Sequence, residues 1–171
     1  VICPAINYKA AHMAVIGLGA KVVFCDIDPH TFNIDPIDVE KRITSKTRAI
    51  IPVHIHGLSA PMDELDELAK KFAHPKHGPL KIIGDAARAL GASYKNQKVG
   101  AHGWATVFSF HSQKLITTLG EGGALVTNDP KLASKVRNMC FYGGEYGWGM
   151  IYRMSKVQAA VGIIQIKRLD R

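Results

Sequence analysis

KIIGDAARALGASYKNQKVGAHGWATVFSFHSQK, residues 81–114, is the stretch whose reading decides the fold. It holds two short apolar runs, Lys81–Ile83 and Thr106–Phe110, and each run is followed by a chemically active side chain. Asp85 follows the first run within Gly84-Asp85-Ala86-Ala87-Arg88-Ala89, and Lys114 follows the second within Phe108-Ser109-Phe110-His111-Ser112-Gln113-Lys114. Brief apolar runs bounded by turn residues read as buried strands. An acid and an amine just past two strand ends can face one ligand, because ligands of open α/β sheets sit at the carboxyl edge of the strands. A carboxylate ending a buried strand is costly without a partner, so Asp85 calls for a cation. The Gly120-Glu121-Gly122-Gly123 turn beyond Lys114 closes a partly desolvated cleft around its amine, a setting that favours a nucleophile over a solvated surface lysine.

Outward from this stretch the same pattern repeats. Val1–Cys3, Lys21–Phe24, Arg48–Val53 and Ala124–Val126 read as further short buried strands, with helical stretches between them. Asp35-Pro36 is a capping acid with a proline at the first helical position, and it opens a helix running through Arg42. Ala60-Pro61-Met62-Asp63 opens another, with Leu65, Leu68, Ala69 and Phe72 on one face and acids crowding the positive end of the dipole. Asp129-Pro130 repeats the device before Lys131–Asn138, and Ser155 starts a helix with Val157, Val161, Ile164 and Leu169 expected inward. Strands alternating with helices predict the α/β class: a mostly parallel sheet flanked by helices. The abrupt start in a strand and stop in the helix ending Leu169-Asp170-Arg171 read as a single partial domain over residues 1–171.

Composition bounds the function. With 171 residues, 47% hydrophobic and 21% charged, the chain fits a globular protein able to bury one substantial core, and disorder drops out. No apolar stretch approaches the roughly 18 residues that span a bilayer, and the N-terminal residues lack a leader pattern, so a cytoplasmic protein is expected. Cys3, Cys25 and Cys140 are odd in number and lack paired spacing; they read as reduced, mostly buried thiols. The net charge of +8 raises the question of a polyanion partner, but Lys and Arg are scattered among acids without a basic block, so no nucleic acid is expected.

Two weaker signals have plain readings. Gly17-x-Gly19-x-x-Val22 has the spacing of a dinucleotide loop, yet helix-like Ala10–Ile16 precedes it and strand-like Val22–Phe24 follows. That order is the reverse of the one a dinucleotide needs, so a helix C-cap is the reading. His54 and His56 alternate along a strand end, but no third ligand joins them; no metal is expected, and one of the two is allowed a place in a pocket.

Taken together, the motifs resemble the DegT/DnrJ/StrS family of pyridoxal-phosphate sugar aminotransferases, fold-type I proteins related to aspartate aminotransferase. The resemblance runs through VICPAINYKAAHMAVIGLGAKVVFCDID (1–28), IIPVHIHGLSAPMDELDELAKKF (50–72), IIGDAARALGASYKNQKVG (82–100), FSFHSQKLITTLGEGGALVTND (108–129) and YRMSKVQAAVGIIQIKRLD (152–170). It implies the cofactor pyridoxal 5'-phosphate, with Lys114 forming the imine and shuttling the proton, and Asp85 paired with the pyridine nitrogen. It places Tyr8 where an aromatic stacks on the ring and Ser109 where a hydroxyl binds the phosphate. Arg88 stands where the family usually has Gln or His near the ring oxygen. Ile151 stands where an Asn often reaches a phosphate in the partner subunit, a contact isoleucine cannot make.

The resemblance further implies an amino-acid donor, expected to be glutamate, a keto-sugar acceptor, expected to be nucleotide-linked, or a cyclitol ketone, and a homodimer. The chain would be an incomplete large domain, with the phosphate-loop segment before Val1 and the small domain after Arg171. Two rivals remain. The family's sugar dehydratases replace the imine lysine with histidine, whereas Lys114 is retained. A non-catalytic regulatory protein on the same fold would need neither Asp85 nor Lys114.

Overall fold

The computed structural model describes residues 1–169; Asp170 and Arg171, which the sequence reading assigns to the last helix, lie outside the described residues. Six strands form one sheet: β1 (Ile2–Pro4), β2 (Val23–Cys25), β3 (Ala49–Ile50), β4 (Lys81–Asp85), β7 (Ala105–Ser109) and β8 (Gly123–Val126). Their spatial order is β2-β1-β3-β4-β7-β8, parallel throughout except for the antiparallel β7–β8 pair. The chain steps outward from β1 to β2 and then crosses back to β3, so the strand order reverses beside β1. Helix α1 (Lys9–Gly17) links β1 to β2, α2 (Pro36–Arg42) links β2 to β3, and α3 (Met62–Lys71) links β3 to β4.

The caps form where the side chains predict them. Asp35 accepts from the Ile37 amide at the start of α2, and Asp129 accepts from the Lys131 and Leu132 amides at the start of α4 (Pro130–Met139). Ser155 and Gln158 close a reciprocal capping box on α5 (Lys156–Lys167). Gly19, at φ +72°, ends α1 by donating its amide to the Ile16 carbonyl, the C-cap expected of that segment.

Strand pleating divides the sheet into two unlike faces. Ile2, Ile50 and Ile82 stand in register across three strands and pack with Val39 of α2 and Met62, Leu65, Leu68 and Ala69 of α3. Burying a side chain such as Leu65 contributes about 1.5–3 kcal/mol, and this cluster holds twelve buried residues against six in the second one. The opposite face carries Ile51, Ile83 and Val107 and is only partly covered by α1.

Two expectations are corrected. No helix joins β4 to β7; the intervening chain forms a hairpin, β5 (Ser93–Tyr94) and β6 (Gln97–Lys98), outside the main sheet. Lys95 and Asn96 both take positive φ there, the twist that a two-residue hairpin turn requires. This segment covers a second cluster of Ala86, Ala89, Val99, Phe108, Phe110 and Ile116. Helix α5 ends at Lys167, so Leu169 lies in the turn beyond it; Val161 and Leu169 are half-buried, but Val157 and Ile164 are 67% and 55% exposed. The helix meets the body through Gly162, whose missing side chain lets Thr118 approach, and apolar residues lie all around it. Cys3 and Cys25 are buried free thiols, and Cys140 is half-buried and free.

Gly84 sits where β4 passes closest to a buried histidine. A Cβ there would fall 2.8 Å from His54 Nε2 and 3.2 Å from Thr106 Oγ1. Gly84→Ala is therefore expected to destabilise the protein by about 1–3 kcal/mol through overpacking, measured by urea denaturation.

Candidate active site

The carboxyl ends of β1, β4 and β7 meet at one edge of the sheet, and each delivers a side chain there. Tyr8 follows β1 as the N-cap of α1, Asp85 is the last residue of β4, and Ser109 is the last residue of β7. Asp85 pairs in register with Val107, so pleating puts Asp85, Val107 and Ser109 on the same face. Lys114 follows in the turn between β7 and β8. Tyr8, Asp85, Arg88, Ser109 and Lys114 all line a single cavity of about 760 Å³, floored by Ile51, Ile83 and Val107 and walled by the small side chains of α1.

Asp85 is held from both sides through its backbone. Its amide donates to the Pro52 carbonyl, its carbonyl accepts from the His54 amide, and Ala86 donates across to Val107. Asp85 Oδ1 accepts from the Ala87 amide at 3.0 Å, and Oδ2 has no hydrogen-bond partner among the described residues. The Ser109 hydroxyl accepts from the His111 amide at 3.3 Å and keeps its own proton to donate. Lys114 is half-buried, and neither its amine nor the exposed Arg88 guanidinium forms an ion pair among the described residues. Tyr8 is exposed at the cavity wall. A free carboxylate oxygen, a free amine, a hydroxyl donor and an aromatic ring facing one space fit a flat, cationic-nitrogen heterocycle that carries an aldehyde and a phosphate.

The cavity lining includes neither His54 nor His56, so the allowance that one lines a pocket is corrected. His54 is 2% exposed behind the sheet, and its Nδ1 accepts from the Ala60 amide at 3.1 Å, which assigns the ring proton to Nε2. Its backbone meets Asp85 while its ring packs against Gly84, so it supports the end of β4 from the dry side. His111, Gln113 and Glu121 also line the cavity and were not singled out from sequence; their spacing around Lys114 was the only signal.

An α/β sheet with an amine and an acid at its carboxyl edge defines the class. The family model for DegT/DnrJ/EryC1/StrS aminotransferases matches residues 1–171, and the chain belongs to that family. It is 42% identical over 99% of its length to GDP-perosamine synthase of Caulobacter vibrioides, covering 46% of that protein. It is 41% identical over its full length to a pleiotropic regulatory protein of Geobacillus stearothermophilus, again covering 46%. Among solved structures, S. venezuelae DesV in complex with a ketimine intermediate superposes with a TM-score of 0.91 and 38% identity, over 99% of this chain and 46% of DesV. The chain thus spans about half the length of the relatives it matches.

Burial, with a smaller contribution from nearby His102, pushes His54 down from the ordinary 6.5 to about 4. Because the folded value lies below the unfolded one, the unfolded chain takes up its proton first as pH falls. The His54 contribution is therefore whole above about pH 6.5 and is lost between there and about pH 4, about 3 kcal/mol across the window. Urea denaturation at several pH values checks this, with His54→Asn expected to flatten the dependence.

Proposed function

We propose that the whole protein is a pyridoxal-phosphate-dependent aminotransferase that moves an amino group from an amino acid, expected to be glutamate, to a keto sugar. The acceptor is expected to be nucleotide-linked; a cyclitol ketone is the related case. The observation that carries this reading is the convergence of Tyr8, Asp85, Arg88, Ser109 and Lys114 on one cavity. Relatives named as a sugar-nucleotide synthase and a structure with a ketimine intermediate support it.

When bound, pyridoxal phosphate supplies an electron-withdrawing ring that accepts the electron pair left when a proton leaves the substrate carbon. The residues of the chain supply the rest. The Oδ2 of Asp85, without a partner among the described residues, would hold a proton on the ring nitrogen, because a carboxylate on a half-buried strand end favours a cation beside it. Lys114 Nζ is the group that would hold the cofactor covalently and, when free, would take the proton from the donor carbon and hand it to the cofactor carbon. Ser109 Oγ would donate to the phosphate, Tyr8 would cover one face of the ring, and the Arg88 guanidinium would serve the ring oxygen. Ile51, Ile83 and Val107 would give the ring an apolar floor. A homodimer in the cytoplasm belongs to the same proposal.

A regulatory role is the second reading, favoured by the identity to the Geobacillus stearothermophilus protein. The dehydratase reading is disfavoured by the retained lysine.

Full-length protein incubated with pyridoxal phosphate is expected to develop a visible absorbance band that Lys114→Ala removes. Asp85→Ala is expected to lower transamination by on the order of a hundredfold or more, the size of a lost electrostatic contact at a reacting centre. A full-length protein that stays colourless and takes up no cofactor would overturn the enzymatic reading in favour of the regulatory one. In a separate measurement, Ser109→Ala is expected to release the cofactor about tenfold more readily, followed by dialysis and fluorescence.

A further inference from the structure

The turn that presents Lys114 has almost no apolar anchoring. Phe110 and Ile116 are buried, but none of residues 111–115 between them is, and Leu115 is exposed. Backbone bonds tie the neck of the loop, from the Phe110 amide to the Gly122 carbonyl and from the Ser112 amide to the Gly120 carbonyl. Beyond the neck, the contacts converge on His111. Its carbonyl accepts from the Lys114 amide at 2.9 Å, its Nδ1 accepts from the Gln113 amide at 3.1 Å, and its own amide donates to Ser109 Oγ. Its Nε2 faces Glu121 Oε1 at 3.5 Å, and the Glu121 carbonyl is fixed by Thr118 Oγ1 and Gln158 Nε2.

We infer that His111 is a positioning residue that sets where the Lys114 amine enters the cavity. An Nδ1 that accepts an amide proton carries none, so the ring proton sits on Nε2, the nitrogen 3.5 Å from Glu121 Oε1. The ring thus holds the Gln113 amide, next to Lys114, within a segment whose own side chains are not buried. The catalytic half of the inference rests on the reading of Lys114 given above; the structural half does not.

The test uses full-length protein. In cofactor-free protein, amide exchange in peptides covering Gln113 and Lys114 is expected to speed up about tenfold in His111→Ala, the effect of losing one such hydrogen bond. His111→Asn, whose Oδ1 can stand in for Nδ1, is expected to restore protection to within about threefold. In the cofactor-loaded enzyme, His111→Ala is expected to lower kcat about tenfold or more with KM nearly unchanged, and His111→Asn to recover most of it. Nitrogen-15 spectra of the wild-type histidines at pH 8 are expected to show His111 as the Nε2-protonated tautomer. This measurement needs no variant, so it decides even if His111→Ala fails to fold. An Nδ1-protonated ring, unchanged exchange in His111→Ala, or His111→Asn as impaired as His111→Ala overturns the inference. So does faster exchange with unaltered kcat. If wild-type protein shows no absorbance that depends on Lys114, the functional reading fails instead, and the exchange data still judge the turn on their own.

Discussion

Asp85 owes its place to backbone bonds on both sides: its amide reaches Pro52, its carbonyl receives His54, and its neighbour Ala86 reaches Val107. The first two tie Asp85 to the chain beyond β3, and the third holds the parallel register of β4 and β7, in which Gly84 opposes Thr106 and Asp85 opposes Val107. Because side chains alternate between faces, a slip of one residue would turn Asp85 under the sheet and present Gly84 to the cavity. Ser109 lies on the cavity face for the same reason, two residues beyond Val107, and the Lys114 turn hangs from that strand end. Asp85, Ser109 and Lys114 therefore depend on one ladder between two five-residue strands, while Tyr8 is brought in by β1 and α1.

The two faces of the sheet divide the work. Beneath, isoleucines in register and the apolar side of α3 form a dry core, with the buried His54 held neutral against β4. Above, the alanines of α1 leave space in place of packing, and the floor of Ile51, Ile83 and Val107 stays open to the cavity. Stability built on one face lets the other remain hollow. The cost appears at Gly84, where the dry face presses so close that no side chain fits.

The loop between β7 and β8 follows a different logic. Between buried Phe110 and Ile116 it is held by hydrogen bonds, and these polar contacts converge on His111, which the sequence does not single out from its neighbours. A histidine near a reactive lysine looks ordinary in a sequence, because neither its tautomer nor its partners are local properties. Only the closing of the loop brings Glu121 opposite Nε2.

What the residues alone determined are features set within a few positions: the capping acids before Pro36 and Pro130, the glycine that ends α1, the apolar runs of the strands, and the placing of Asp85 and Lys114 just past two of them. Capping bonds and pleated alternation reach only a turn or a strand, so their signals are written locally. The missing helix between β4 and β7, the exposure of Val157 and Ile164 on a helix apolar all round, and the burial of His54 behind the sheet were settled only by tertiary structure. Each depends on which distant surface a segment meets. That choice is made by long-range strand pairing and packing, which no short window of sequence contains.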